Sequence, residues 1–159
     1  MSLRIGHGVD AHRLVLGRPL MLGCVHVPHD RGLLGHSDGD AVVHALCDAL
    51  LGAAGLGDIG RHFPSGDPRW TNTAGIEFLR TVASMLRDHG ARVLSAQVVA
   101  VAEEPRLADY LDEMRAACAA TLAMDVDAMA ISATTTDGMG FSGRSDGIAT
   151  SAVALLDVG

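Results

Sequence analysis

The sequence predicts a single α+β domain over residues 1–159: two layers, with a mixed four-stranded sheet, helices on one face, and a hairpin near the N-terminus. Three observations predict it. Segments with strand-like and helix-like periodicity alternate along the chain, with no repeat, linker or low-complexity tract between them. Apolar residues make up 48% of the chain, enough to bury a core in a domain of this length. Glycine and proline punctuate the periodic segments.

Residues 3–13 (LRIGHGVDAHR) read as a strand ending in polar residues, and 18–28 (RPLMLGCVHVP) as a hairpin. Residues 29–37 form a Gly-rich loop. Residues 38–53 predict a helix with Val42, Val43, Leu46, Ala49 and Leu50 on one broad face, and Ser37 with Asp40 resembles a capping box. Residues 54–73 are irregular and contain Pro64 and Pro68, a length usual for a functional loop. A helix over 74–89 ends at Gly90. Residues 92–103 read as a strand, 105–123 as a helix opening at Pro105, 128–136 as a strand, 137–146 as a Gly-rich turn and 147–157 as a last strand.

Composition narrows the function. The net charge is −7, and the arginines are scattered, so the basic footprint of a nucleic-acid binder is missing. An acidic chain that handles phosphate must concentrate positive charge locally, and a bound metal is one way to do so. Only 3% of residues are aromatic, so Ala, Val and Leu must build the core, and an oligomer interface is expected to add buried area. Three cysteines without a C-x-x-C motif fit a reducing, cytoplasmic compartment. The N-terminus lacks the apolar stretch of a signal peptide, and no apolar run is long enough for a membrane span.

Asp10 and His12 are two residues apart on the first strand, which puts both side chains on one face. His44 lies 32 residues further on, in the first helix. A close pair plus one distant ligand, with a position left open, is the usual form of a catalytic zinc site, and this donor set also admits Mn²⁺, Fe²⁺ or Co²⁺. Asp40 and Asp48, four residues either side of His44, are both candidates to accept its other ring N–H. Spacing alone leaves alternatives open: D-x-H also marks strand ends at surfaces, and a lone helix histidine is often only a core residue. His7 falls on the opposite strand face, and His26, His29 and His89 read as surface residues.

Two further stretches suggest phosphate handling. His36 and Ser37 stand at the start of the first helix, where unpaired backbone N–H groups attract anions, although Asp38 and Asp40 would repel one unless turned away. The run Thr134-Thr135-Thr136-Asp137, followed by Gly138, Gly140, Gly143 and Arg144, offers hydroxyl donors, a carboxylate suited to Mg²⁺ and backbone that can approach a ligand closely. It also reads as a plain strand–turn–strand connection. D58-I59-G60 with F63-P64-S65-G66-D67 has the composition of a lid or of an ordinary surface loop.

Taken in order, D10-A-H12, G35-HSDGD, H44, G57-DIG, F63-P, A133-TTTD and G140-FSGR144 resemble the 2-C-methyl-D-erythritol 2,4-cyclodiphosphate synthase family of the non-mevalonate isoprenoid pathway. The resemblance runs from residue 4 to residue 156. It implies a lyase that converts 4-diphosphocytidyl-2-C-methyl-D-erythritol 2-phosphate into the cyclic diphosphate and CMP. Asp10, His12 and His44 match the zinc ligands, and Asp137 a second site for Mg²⁺ or Mn²⁺. His36 and Thr135 match residues that position the phosphates, with Ser37 and Thr136 beside them. Asp58, Ile59 and Gly60, with Phe63 and Asp67, match the methylerythritol-binding segment. Ala102, Pro105, Arg106, Leu107 and Ala108, with Ala133 and Thr134, match the cytidine pocket. The resemblance also implies a homotrimer with sites between subunits and a central cavity, where Phe141 and Arg144 match residues implicated in holding an isoprenoid diphosphate.

This chain departs from the family pattern in places. Asp137 stands where Glu is frequent, Gly138 where Lys is common, Arg106 for a Lys, Asp146 for a Glu, and Ser65-Gly66 in a loop usually more acidic. Two other classes are weighed beside the synthase. A metal-dependent phosphohydrolase would need a second carboxylate-rich cluster, and a non-enzymatic trimer binding nucleotide or isoprenoid diphosphate would not need an open metal position.

Overall fold

The computed structural model describes residues 1–159. Its architecture follows from one long strand, β1 (Leu3–Leu16), whose residues alternate between two environments. Gly6, Gly8, Asp10, His12 and Leu14 face a helix layer, while Ile5, His7, Val9 and Ala11 face away. The hairpin follows as β2 (Leu20–Leu22) and β3 (Val25–Val27), antiparallel and separate from the main sheet. Helix α1 (Ala41–Ala54) is buried nearly all round and ends at left-handed Gly55. The next stretch holds a single turn, α2 (Ile59–His62), and a 3₁₀ turn over Pro68–Trp70, before α3 (Gly75–Asp88).

Strand β5 (Ala91–Val101) runs antiparallel to the last strand and parallel to β6 (Met129–Thr134). Helix α4 (Leu111–Thr121) lies between them in sequence. A short turn of helix, α5 (Gly140–Gly143), precedes β7 (Gly147–Val158), which occupies the sheet centre between β1 and β5.

The sheet has five strands, in the order β4-β1-β7-β5-β6, not the four expected. The extra strand, β4 (Arg31–Leu33), falls inside the stretch read as a Gly-rich loop. It forms because β1 continues past residue 13, and its residues Leu14–Leu16 pair with Arg31–Leu33. Three residues are too few for a periodic signal, so pairing creates this strand.

Two helix starts also differ from expectation. Asp40, not Ser37, caps α1, its carboxylate accepting from Val43 N at 3.1 Å. The same carboxylate accepts from Gly23 N and Cys24 N at 2.9 and 2.8 Å, which ties the hairpin turn to the helix start. The helix expected from Pro105 begins only at Leu111, because Ala102 and Leu107 turn inward and make this stretch the wall of a cleft.

The helices cover one sheet face only. At the centre, α1 presses on β1 without side chains between them: a Cβ on Gly6 would stand 1.8 Å from Ala49 O, and one on Gly8 2.1 Å from Ala45 O. Only glycine permits this approach. The other face stays open, with Ile5 75%, Val9 61% and Val153 44% exposed beside the polar His7, Gln97 and Ser151. No helix is long and apolar enough to cross a membrane.

Candidate metal centre and clefts

The close approach of α1 to β1 builds the site. It brings His44, in the first turn of α1, against the Asp10–His12 face of β1. Thr150 of β7, paired with Asp10, locks the arrangement by donating to Ala41 O at 2.7 Å. Asp10 Oδ2 then lies 2.8 Å from His12 Nδ1 and 3.4 Å from His44 Nδ1. The three ligand atoms are mutually within 4.8 Å, and the imidazole centroids are 5.2 Å apart.

These atoms fit a metal better than they fit each other. Asp10 Oδ2 and His12 Nδ1 are shielded from solvent and, despite their proximity, make no aligned hydrogen bond. Buried polar atoms left this way are costly unless a further group completes them. One carboxylate and two imidazoles suit a divalent ion with an open position. Burial works against the Asp10 carboxylate, yet the two imidazoles outweigh it and hold the pKa down to about 2. Burial likewise opposes a charged His44, and the adjacent Asp10 carboxylate at 3.4 Å, with the charges of Asp40 and Asp38 behind it, raises its pKa above the ordinary value.

The other nitrogen of His44 is not held by Asp40 or Asp48, as the spacing suggested. Asp40 is used up on backbone donors, and Asp48 accepts from Ile59 N at 2.8 Å. Ser37 Oγ takes the place, 3.2 Å from His44 Nε2. Phe78 of α3 closes the other side with an edge contact at 5.8 Å. Asp38 accepts from Asp40 N and Gly75 N, so neither acid of the 35–40 loop is aimed at the cleft.

Beside this corner opens a cleft of about 370 Å³. His36, Ser37 and His44 line one side, and Ile59, Gly60 and Phe63 line the other. His36 is exposed and its Nε2 is 3.0 Å from Thr71 Oγ1. Trp70 and Phe78 complete the wall, stacked edge-on with Phe63. The sequence reading missed Thr71, Trp70 and Phe78; a sole tryptophan next to a candidate lid was the available signal. Asp58 and Asp67 do not line the cleft. Asp58 caps α2 through Arg61 N, and Asp67 is paired with Arg69 at 2.6 Å.

A second cleft, of about 390 Å³, gathers Ala102, Pro105, Arg106, Leu107 and Ala108 with Ala133, Thr134 and Thr135. The residues grouped from three sequence stretches thus form two clefts that share no lining residue, and Thr135 is not beside His36. Asp137 joins no group of ligands: it is exposed, in the left-handed region at φ 52°, and near only the Thr135 hydroxyl at 3.4 Å. Thr136 donates to Met139 O. Phe141 and Arg144 lie with Ala11, Arg13 and Asp146 around a third hollow, and Arg144 pairs with Asp146 at 3.1 Å. His26 and His89 are exposed as expected, but His29 is half-buried, 3.4 Å from Asp30.

Fold and site together define an α+β protein with an Asp-His-His corner that could hold a metal, its His44 lining a polar–aromatic cleft. Comparison with known proteins agrees. The profile of the YgbB family matches residues 3–157, and the chain belongs to that family. It is 51% identical over 154 residues to the 2-C-methyl-D-erythritol 2,4-cyclodiphosphate synthase of Moorella thermoacetica, covering 97% of this chain and 94% of that one. The synthase of Thermosynechococcus vestitus is 50% identical over 159 residues, with 100% and 99% covered. Among solved structures, a CDP-bound 2-C-methyl-D-erythritol-2,4-cyclodiphosphate synthase superposes with a TM-score of 0.88 at 39% identity, covering 97% of this chain and all of that one. The bifunctional IspDF of Campylobacter jejuni superposes at 0.95 with 36% identity; this chain matches over 99% of its length and spans 43% of that longer chain.

Proposed function

We propose that this chain is a lyase of the non-mevalonate isoprenoid pathway. It converts 4-diphosphocytidyl-2-C-methyl-D-erythritol 2-phosphate to 2-C-methyl-D-erythritol 2,4-cyclodiphosphate and CMP. The Asp10–His12–His44 corner beside the His36 cleft is the observation that carries this reading, within a family match over residues 3–157.

The nucleophile, the 2-phosphate, belongs to the same molecule as the β-phosphate it attacks. The protein therefore has to fold the substrate back on itself and neutralise charge, and no protein nucleophile is required. We assign Zn²⁺, or Mn²⁺ or Co²⁺ in its place, to Asp10, His12 and His44, where a bound ion supplies Lewis-acid polarisation of a phosphoryl oxygen. Ser37 holds the tautomer of His44. His36 orients phosphate oxygens, and Ile59, Gly60 and Phe63 shape the cleft for the methylerythritol portion. Asp58 and Asp67 join them only if the 58–67 segment rearranges. The Ala102–Thr135 cleft takes the cytidine and Thr135 donates to the phosphates; Asp137 would hold Mg²⁺ or Mn²⁺, which would supply charge neutralisation for the CMP leaving group.

We further propose a homotrimer. The open face of the sheet supports it, because exposed Ile5, Val9 and Val153 on one face mark an association surface. So does the separation of the two clefts, since one substrate must touch both and a neighbouring copy can bring them together. Phe141 and Arg144, at the rim of that face, then border a central cavity suited to an isoprenoid diphosphate. Three free cysteines fit a cytoplasmic location.

The test is one reaction followed by phosphorus NMR: protein loaded with Zn²⁺, Mg²⁺ in the buffer, and the named substrate. Cyclic diphosphate with CMP, absent in His44→Ala, is the expected result. Inorganic phosphate would point instead to a hydrolase, and no product from folded, zinc-loaded protein would leave a binding module.

A further inference from the structure

The two histidines that line the His36 cleft are held very differently. His44 is buried, with Asp10 on one side of its ring and Ser37 on the other. His36 is exposed, and one side chain holds its ring: Thr71, whose Oγ1 is 3.0 Å from Nε2. Thr71 itself does not line the cleft.

The segment that carries Thr71 is fixed against the loop that carries His36. Thr71 N closes the Pro68–Trp70 turn by donating to Pro68 O at 3.3 Å. Asn72 N donates to His36 O at 2.9 Å, and Asp38 N donates to Thr73 O at 3.1 Å. Gly75 N donates to Asp38 Oδ2 at 2.7 Å. Residues 71–73 therefore lie backbone to backbone along residues 36–38, and the hydroxyl meets the ring from a braced position. Trp70, the preceding residue, packs edge-on against Phe63 in the cleft wall at 4.9 Å.

Which imidazole nitrogen carries the proton is set by the bond that the other one makes. With Nε2 engaged by Thr71, Nδ1 is the nitrogen left for a substrate. An ionised phosphate oxygen only accepts, so Nδ1 must carry the proton to serve one. Nε2 is then the acceptor, and the Thr71 hydroxyl is the donor.

We propose that Thr71 is a positioning residue: its hydroxyl donates to His36 Nε2 and fixes the ring in the orientation and the Nδ1–H tautomer that serve the substrate phosphates. The inference rests on the reading of His36 as a phosphate-orienting residue. Thr71 touches no substrate and takes no part in bond making.

The test compares Thr71→Val, which keeps the shape and removes the hydroxyl, with Thr71→Ser, which keeps the hydroxyl. Thr71→Val should lower kcat by about 5- to 20-fold with KM moved by less than about twofold, because a misaligned ring is felt mainly in the transition state. Thr71→Ser should keep turnover within about twofold of wild type. On the residual turnover of His36→Ala, Thr71→Val should have no further effect, since residues that act as one unit are not additive. Nitrogen-15 NMR of the neutral His36 ring, without substrate, should place the proton on Nδ1 in wild type and on both nitrogens in Thr71→Val. Retained zinc content and melting temperature report that the variants fold. Thr71→Val at full rate, Thr71→Ser as slow as Thr71→Val, an added loss in the His36→Ala background, or a ring spectrum unmoved by Thr71→Val would each overturn the role of Thr71 and leave the synthase reading standing. Wild type without turnover would overturn the synthase reading and this role with it.

Discussion

Asp10, His12 and His44 are held by a 14-residue strand and a 14-residue helix pressed backbone to backbone, whereas Asp137 and its threonines hang from the end of a six-residue edge strand. The first group is half-buried or buried and is braced by Ser37, Phe78 and Thr150. The second is exposed, its hydroxyls spent on its own backbone and on Asp137. The difference teaches where pre-organisation is needed. A site that must hold an ion has its ligands fixed in advance, and one that embraces a substrate can wait for a neighbour or an ion to complete it.

The strongest way to break this comparison is to remove a fixed ligand. His44→Ala should lower turnover by about 10³-fold or more, with zinc content falling alongside and the circular dichroism spectrum retained. Full turnover in zinc-replete buffer would remove His44 from the mechanism. Disturbing the scaffold tests the same point indirectly. Gly8→Ala puts a Cβ into the Ala45 carbonyl and should cost about 1–3 kcal/mol in denaturant unfolding, with weaker zinc binding because α1 is pushed off β1. Unchanged stability would mean that the contact is easily relaxed.

Ser37→Ala should weaken zinc binding by about 10- to 100-fold, the usual loss when the group orienting a metal-bound imidazole is removed, as read by chelator competition. Asp137→Ala should instead leave zinc content unchanged and raise the Mg²⁺ concentration needed for half-maximal turnover by about tenfold. Equal effects of these two changes on zinc would erase the proposed division of labour.

The smallest effect concerns pH, and its sign depends on the metal. Without zinc, the Asp10–His44 interaction stabilises the fold. The raised pKa of His44 means that its share is fully present below the unfolded pKa of about 6.5 and is lost as pH rises through the higher folded value. The lowered Asp10 pKa makes its share present above about 3.8 and lost as pH falls toward about 2. With zinc, protons compete with the ion, so affinity should already decline above pH ~6.5 as the solution is acidified, by up to about tenfold per pH unit for the His44 proton. Thermal melts with and without zinc at pH 6 and 8 check both signs: the zinc-dependent gain in melting temperature should be larger at pH 8. An equal gain at both would contradict the raised His44 pKa.

Much of this was legible from residue order alone. The period of two in residues 3–13 put Asp10 and His12 on one face, and the apolar helix after Asp40 supplied His44. Those patterns are local, and so they survive in one dimension. The sequence by itself also placed the hairpin, the long helices and the parallel pairing partners β5 and β6 as separate strands. Tertiary structure alone decided the rest. β4 exists only because β1 runs on to meet it, and the helix expected from Pro105 yields to a cleft wall because Ala102 and Leu107 gain more by burial there. Ser37 displaces two better-spaced acids as the partner of His44, because both are consumed by backbone donors far away in sequence. Local periodicity reports which way a side chain points, but which neighbour it meets is set by long-range packing, here by two glycines that let a helix lie directly on a strand.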